Sequence, residues 1–165
     1  MALRLPLALL TALLLAAPAA SQTAPPRIGA GIDAVVIPLR AGDVDPGVGL
    51  GLRGRIALPL NSDLSGAASL GVSANLAGSA VLTATPQVSL IVTLPGSGRS
   101  VRYLLGGFGG FIPLSGGGGG TTLHAGIGWA IPLSETSLYF ELDPAIVVGS
   151  DDTTVIVPLR VGVIF

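Results

Sequence analysis

Residues Thr153–Phe165 read TTVIVPLRVGVIF, and they decide the fold. Counting back in twos from Phe165 gives Val163, Val161, Leu159, Val157 and Val155, an unbroken apolar row. The intervening row, Ile164, Gly162, Arg160, Pro158, Ile156 and Thr154, is mixed, small and partly charged. A period of two describes a strand whose faces meet different surroundings. Here the apolar face runs to the last residue and ends on an aromatic, whereas a terminus in water usually frays. This end of the chain is expected to lie against an apolar or interfacial surface.

Composition points the same way. Half of the 165 residues are hydrophobic and 10% are charged, against roughly 25% charged in ordinary soluble domains. The length suits one domain. All eight basic residues are arginine, and the net charge of −1 offers no footprint for nucleic acid. Without cysteine there are no disulfides, no thiolate metal sites and no lipid-anchoring cysteine. With 25 glycines and 13 prolines, long helices are disfavoured. Beyond residue 20 no apolar run approaches the roughly 20 residues of a membrane helix. Strands are the remaining route into a membrane.

Residues 1–21 read as a cleaved signal peptide. Arg4 supplies the positive start, Leu5 to Ala17 the apolar stretch, and Ala19-Ala20-Ser21 the small-residue cleavage site. Residues 22–165 form the domain. They divide into eight alternating segments: Arg27–Leu39, Gly47–Pro59, Gly66–Ala77, Gln87–Leu94, Val101–Pro113, Thr121–Pro132, Thr136–Val148 and Thr153–Phe165. An even number places both termini at one end. Connections after the second, fourth and sixth segments (LNSDLS, PGSGRS, LSE) are short, as periplasmic turns are. Longer ones, such as the stretch ending in AVLTATP and the glycine run Gly116–Gly120, fall at the other end. Pro144 and Pro158 lie inside segments, where a closed barrel has no free edge to absorb a missing donor. Asp143-Pro144 is expected to mark a bend or bulge.

Charge decides which face is inside. One face collects Val48, Leu50, Leu52, Ile56 and Leu58, then Leu70, Val72 and Leu76, then Val88, Leu90, Val92 and Leu94. It continues with Tyr103, Leu105 and Phe111, then Leu123, Ile127, Trp129 and Ile131, and finally Leu138, Phe140, Leu142 and Ile146. None of these is charged. The opposite face gathers Asp33, Arg53, Arg55, Ser69, Ser73, Asn75, Gln87, Ser89, Arg102, His124, Glu141, Asp143 and Arg160 among glycines. As a soluble surface that face carries too little charge. As the lining of a membrane barrel it is natural: small residues suit a narrow lumen, and opposed charges neutralise one another. Tyr103, Trp129 and Phe165, near segment ends, are expected in an interfacial girdle. The fold is thus an all-β, eight-stranded antiparallel up-and-down transmembrane β-barrel.

Within it, Asp33, Arg53, Arg55, Arg102, Glu141, Asp143 and Arg160 are candidates for a structural ion-pair network in the lumen. His124, the one histidine, could join Glu141 and a serine in a nucleophile–base–acid set, but a hydrogen-bonded filler is the plainer reading. No metal or cofactor site has ligands at useful spacing, and Ser115–Gly120 lacks the features of a phosphate loop. Asp43, Asp45, Asp151 and Asp152 place acids on the outer rim, where a solvated loop is the plainer reading and cation bridges to lipopolysaccharide the alternative.

The signal peptide, the strand count and the terminal Phe165 together resemble the small OmpA/OmpX-like outer-membrane β-barrels. The chain departs from that pattern in its in-strand prolines, sparse aromatics and short outer loops. The resemblance implies a non-enzymatic barrel with a structural or surface-interaction role, bathed in outer-membrane lipid and lipopolysaccharide. It also implies delivery by periplasmic chaperones and a barrel-assembly machinery that reads Phe165. A soluble barrel binding an apolar ligand is the first alternative; a small channel or lipid-modifying enzyme is the second.

Overall fold

The computed structural model describes residues 24–38, 47–76, 81–96, 99–115, 118–149 and 153–165. Residues 1–21, expected to be a signal peptide, and the acids Asp43, Asp45, Asp151 and Asp152 lie outside the described residues, as does part of the glycine run.

Nine antiparallel segments form one sheet: β1 (Arg27–Ile37), β2 (Gly47–Pro59), β3 (Leu64–Asn75), β4 (Leu82–Leu94), β5 (Val101–Pro113), β6 (Gly120–Pro132), β7 (Ser137–Leu142), β8 (Ala145–Gly149) and β9 (Thr153–Ile164). β1 to β7 pair in sequence order, β8 lies between β6 and β9, β7 also pairs with β9, and β1 pairs with β9. The sheet therefore closes on itself, sealed where the Phe165 amide donates to the Ile28 carbonyl at 2.8 Å. Closure removes every sheet edge. Starting at Arg27, the paired residues are Ala57, Ala67, Ser89, Gly107, His124, Ala145 and Ile156. Ile156 stands one residue beyond the Val157–Val36 pair, so the circuit returns to β1 at Ile37 and not at Arg27. That stagger tilts the strands by about 40° to the axis, as a barrel requires.

β7 and β8 are two halves of one barrel strand. Both pair with β6 on one side and β9 on the other, in a register that continues unchanged across Asp143 and Pro144. The two prolines cause the interruption. The Asp143 amide donates to the Pro158 carbonyl and the Ala125 amide to the Pro144 carbonyl, each at 3.1 Å. In an antiparallel pair the partner would donate back, but neither proline has a donor. One ladder bond is lost on each side of the strand. It breaks without bulging, and the barrel has eight strands and, among the described residues, no helix.

Two boundaries differ from the sequence reading. β4 starts at Leu82 and absorbs most of the AVLTATP connection, because Pro86 sits inside a strand. The β4–β5 pairing skips Thr85 and Pro86, so the missing donor opens the ladder without ending the strand. β3 starts at Leu64, because Asn61 closes a tight turn. Its side-chain carbonyl accepts from the Asp63 and Leu64 amides at 2.9 and 2.8 Å.

The exterior is apolar. Leu52 is 70% exposed, Ile32 58% and Leu90 54%, whereas Asp33, Arg53, Glu141, Asp143 and Arg160 are buried inside. In β5 the faces are the reverse of those expected. Tyr103, Leu105 and Phe111 are buried, while Arg102, Leu104, Phe108 and Ile112 face out. Both rows of this strand are apolar and rich in glycine, so alternation alone does not choose between them. Lumen volume does: Gly107 and Gly109 stand where an added Cβ would collide with the β4 backbone and Gln87.

Candidate functional site

The lumen is layered along the axis. At the end opposite the termini, Val35, Ile37, Phe111, Ala145, Val147 and Ile156 pack into a buried apolar cluster. The middle is ionic. At the terminal end a cavity of about 570 Å³ opens between Pro25, Arg27, Ser65, Thr93, Glu135 and Phe165, with Arg55 and Tyr103 in its inner wall.

The middle layer draws on most of the barrel. Asp33 on β1 and Glu141 on β7 stand directly across from Arg160 on β9, so register alone sets a cation between two carboxylates. Arg160 donates to Asp143 at 2.5 Å and to Glu141 at 3.4 Å, and its Nε lies 3.6 Å from Asp33. Those last two atoms have no hydrogen bond, so they satisfy each other by charge alone. Arg53 on β2 donates through Nε to Asp33 at 2.8 Å and through its fork to Ser69, Gln87 and Thr85 at 2.8–2.9 Å. The Gln87 carbonyl also accepts from Arg160 at 3.0 Å, joining the two guanidinium groups through one neutral oxygen. Arg55 pairs with Glu141 and lies over the Tyr139 ring, 4.7 Å from its centroid. The Tyr103 hydroxyl donates to Glu141 at 2.8 Å.

Six of the seven ion-pair candidates therefore meet: Asp33, Glu141 and Asp143 against Arg53, Arg55 and Arg160. Arg102 does not join them. It faces outward from the second position of β5, because that strand takes the opposite parity. Its departure leaves three cations facing three carboxylates, a balance that a dry interior demands.

His124 lies between Ser89 and Asp143. Its Nδ1 is 2.9 Å from Asp143 and its Nε2 3.3 Å from the Ser89 hydroxyl. The carboxylate beside the histidine is thus Asp143, with Glu141 turned instead to Arg55 and Tyr103. Serine, histidine and aspartate stand in the order of a hydrolase triad, but Asp143 is shared with Arg160. Ser89 is buried one inward-facing position deeper than Ile91, which lines the cavity. Sequence reasoning missed both tyrosines as lumen residues. The available signal was glycine: Tyr103 occupies the space a Cβ on Gly128 would need, and Tyr139 does the same at Gly31 and Gly162. Of the expected girdle, Trp129 and Phe165 do face out near the terminal end, at 39% and 65% exposure. Among the described residues, no group of three histidine or acidic side chains is placed to hold a metal ion.

A closed eight-stranded barrel with charge inside and hydrocarbon outside belongs to the class of small membrane β-barrels. Solved structures that share this fold are small outer-membrane barrels. Neisserial surface protein A (NspA) superposes with a TM-score of 0.70 at 13% identity, over 84% of this chain and 95% of that one. The N-terminal β-barrel domain of Pseudomonas aeruginosa OprF follows at 0.53 and 15%, over 84% and 97%. Ail, the attachment invasion locus protein of Yersinia pestis, gives 0.51 and 14%, over 85% and 97%. No family model and no curated protein matches the sequence.

Proposed function

We propose that this chain is an integral barrel of the outer membrane with a structural or surface-interaction role, closed to solutes and without catalysis. The observation that carries this reading is the inverted polarity. Arg53, Arg160, Asp33, Glu141 and Asp143 are buried while leucines and isoleucines stand exposed around the wall. In water that surface would aggregate; in a bilayer it is the stable arrangement. The ionic middle of the lumen also speaks against a soluble carrier of apolar ligands, since buried charges line the space such a ligand would fill. The Ser89–His124–Asp143 chain is read as part of the filling, because Asp143 already neutralises Arg160 and Ser89 lies below the cavity wall.

Residues 1–21 then act as the export signal, and Phe165, exposed beside β1, as the mark read by the assembly machinery after passage with periplasmic chaperones. Lipid and lipopolysaccharide are the surrounding partners. Outer-membrane fractionation, with gel mobility before and after boiling, tests the reading. Co-fractionation and a heat-dependent shift are expected. A soluble periplasmic protein with no shift would overturn it.

A further inference from the structure

We infer that the outward face of Arg102, next to Trp129, is a binding site for the headgroup phosphate of an anionic phospholipid. The site rests on the reading that the exterior meets lipid. Arg102 is the second residue of β5, at the rim where the chain termini lie, and its register partners are Leu94 on β4 and Trp129 on β6. Trp129 is in turn paired with Phe140 on β7. These side chains form one outward row, apolar and aromatic except for a single guanidinium.

That guanidinium has no hydrogen bond or ion pair among the described residues, whereas the three lumen arginines are all engaged. One of its nitrogens lies 3.7 Å from where a Cβ on Gly96 would stand, so the side chain runs along the wall toward the β4–β5 turn. This is how an arginine carries its charge from the hydrocarbon edge to the headgroup level. Arg99 is exposed in the same turn and adds a second cation three residues away. An indole beside a guanidinium with no partner among the described residues offers, at an interface, an apolar shelf for the glycerol region and a fork for the phosphate. A zwitterionic headgroup would set its own cation against this pair, so an anionic lipid fits better.

Trp129 is the chain's one tryptophan, and its fluorescence reads the site directly. The protein is folded into mixed phosphatidylglycerol–phosphatidylcholine vesicles in which one lipid or the other carries brominated acyl chains. Quenching by both shows that Trp129 faces lipid; the difference between them measures preference at the site. About fivefold preference for phosphatidylglycerol is expected, the factor that one interfacial arginine supplies. It should fall toward one in Arg102→Gln, stay intermediate in Arg102→Lys, and shrink as salt rises. Retained heat-dependent mobility shows that each variant is folded. Equal quenching by the two lipids in the unchanged protein overturns the site alone, as does an undiminished preference in Arg102→Gln. Quenching by neither lipid overturns the membrane reading and the site with it.

Discussion

Arg160 is the residue on which the lumen balances. Among the described residues it alone touches all three buried carboxylates, Asp33, Glu141 and Asp143. Replacing it by methionine keeps much of the volume but leaves three acids against two arginines. Removing one partner of a buried ion pair costs about 3–5 kcal/mol, so urea unfolding of Arg160→Met from vesicles should show a loss of that size. A much smaller loss would mean that the acids take up protons or water at little cost. Gly128 tests the packing beside it. A methyl group there meets the Tyr103 ring, so Gly128→Ala should destabilise the barrel, and Tyr103→Ala should relieve part of that cost. The double-mutant cycle should give a coupling of about 1 kcal/mol or more; strict additivity would mean that the ring moves aside freely.

At the scale of the element, the β7–β8 strand is unusual in lacking a ladder bond on each side. Pro144 faces outward, so a larger apolar side chain there disturbs no lumen contact. Pro144→Leu restores a donor opposite the Ala125 carbonyl, and a backbone group unpaired in lipid is costly. Loss of the proline's restraint on the unfolded chain offsets about 0.4–1 kcal/mol of that gain. The variant should still unfold at higher urea than the parent, by about 1 kcal/mol in stability. An unchanged or lower midpoint would show that the Ala125 carbonyl is already satisfied in the folded protein.

For the whole molecule, the layers of the lumen make a claim about transport. An apolar cluster fills the end opposite the termini, and a balanced ionic layer fills the middle. Among the described residues, the cavity lies at the terminal end. A barrel of eight strands has just enough interior for its own side chains. The protein in a planar bilayer should therefore show no resolved conductance steps, and stable unitary currents would refute a closed lumen. The exposed apolar wall and the buried charges are two aspects of one choice, since each surface suits the medium it meets.

The sequence by itself determined the class. Period-two segments, glycine where neighbours crowd, and a charge-free row in almost every strand are local properties, and they suffice for an eight-stranded barrel turned toward lipid. Asp33, Arg53, Glu141 and Arg160 were legible because a charge in an alternating segment marks its own face. Tertiary structure decided what alternation leaves degenerate. In β5 both rows are largely apolar, so whether Arg102 or Tyr103 turns inward depends on the room left by Gly128 on β6 and on the crowding by Gln87 on β4. The choice of Asp143 over Glu141 beside His124 depends on register between β6 and the β7–β8 strand. The run of that strand through Asp143-Pro144 depends on neighbours that hold it on both sides. Pairing across strands is a property of the closed sheet, and a single segment does not contain it.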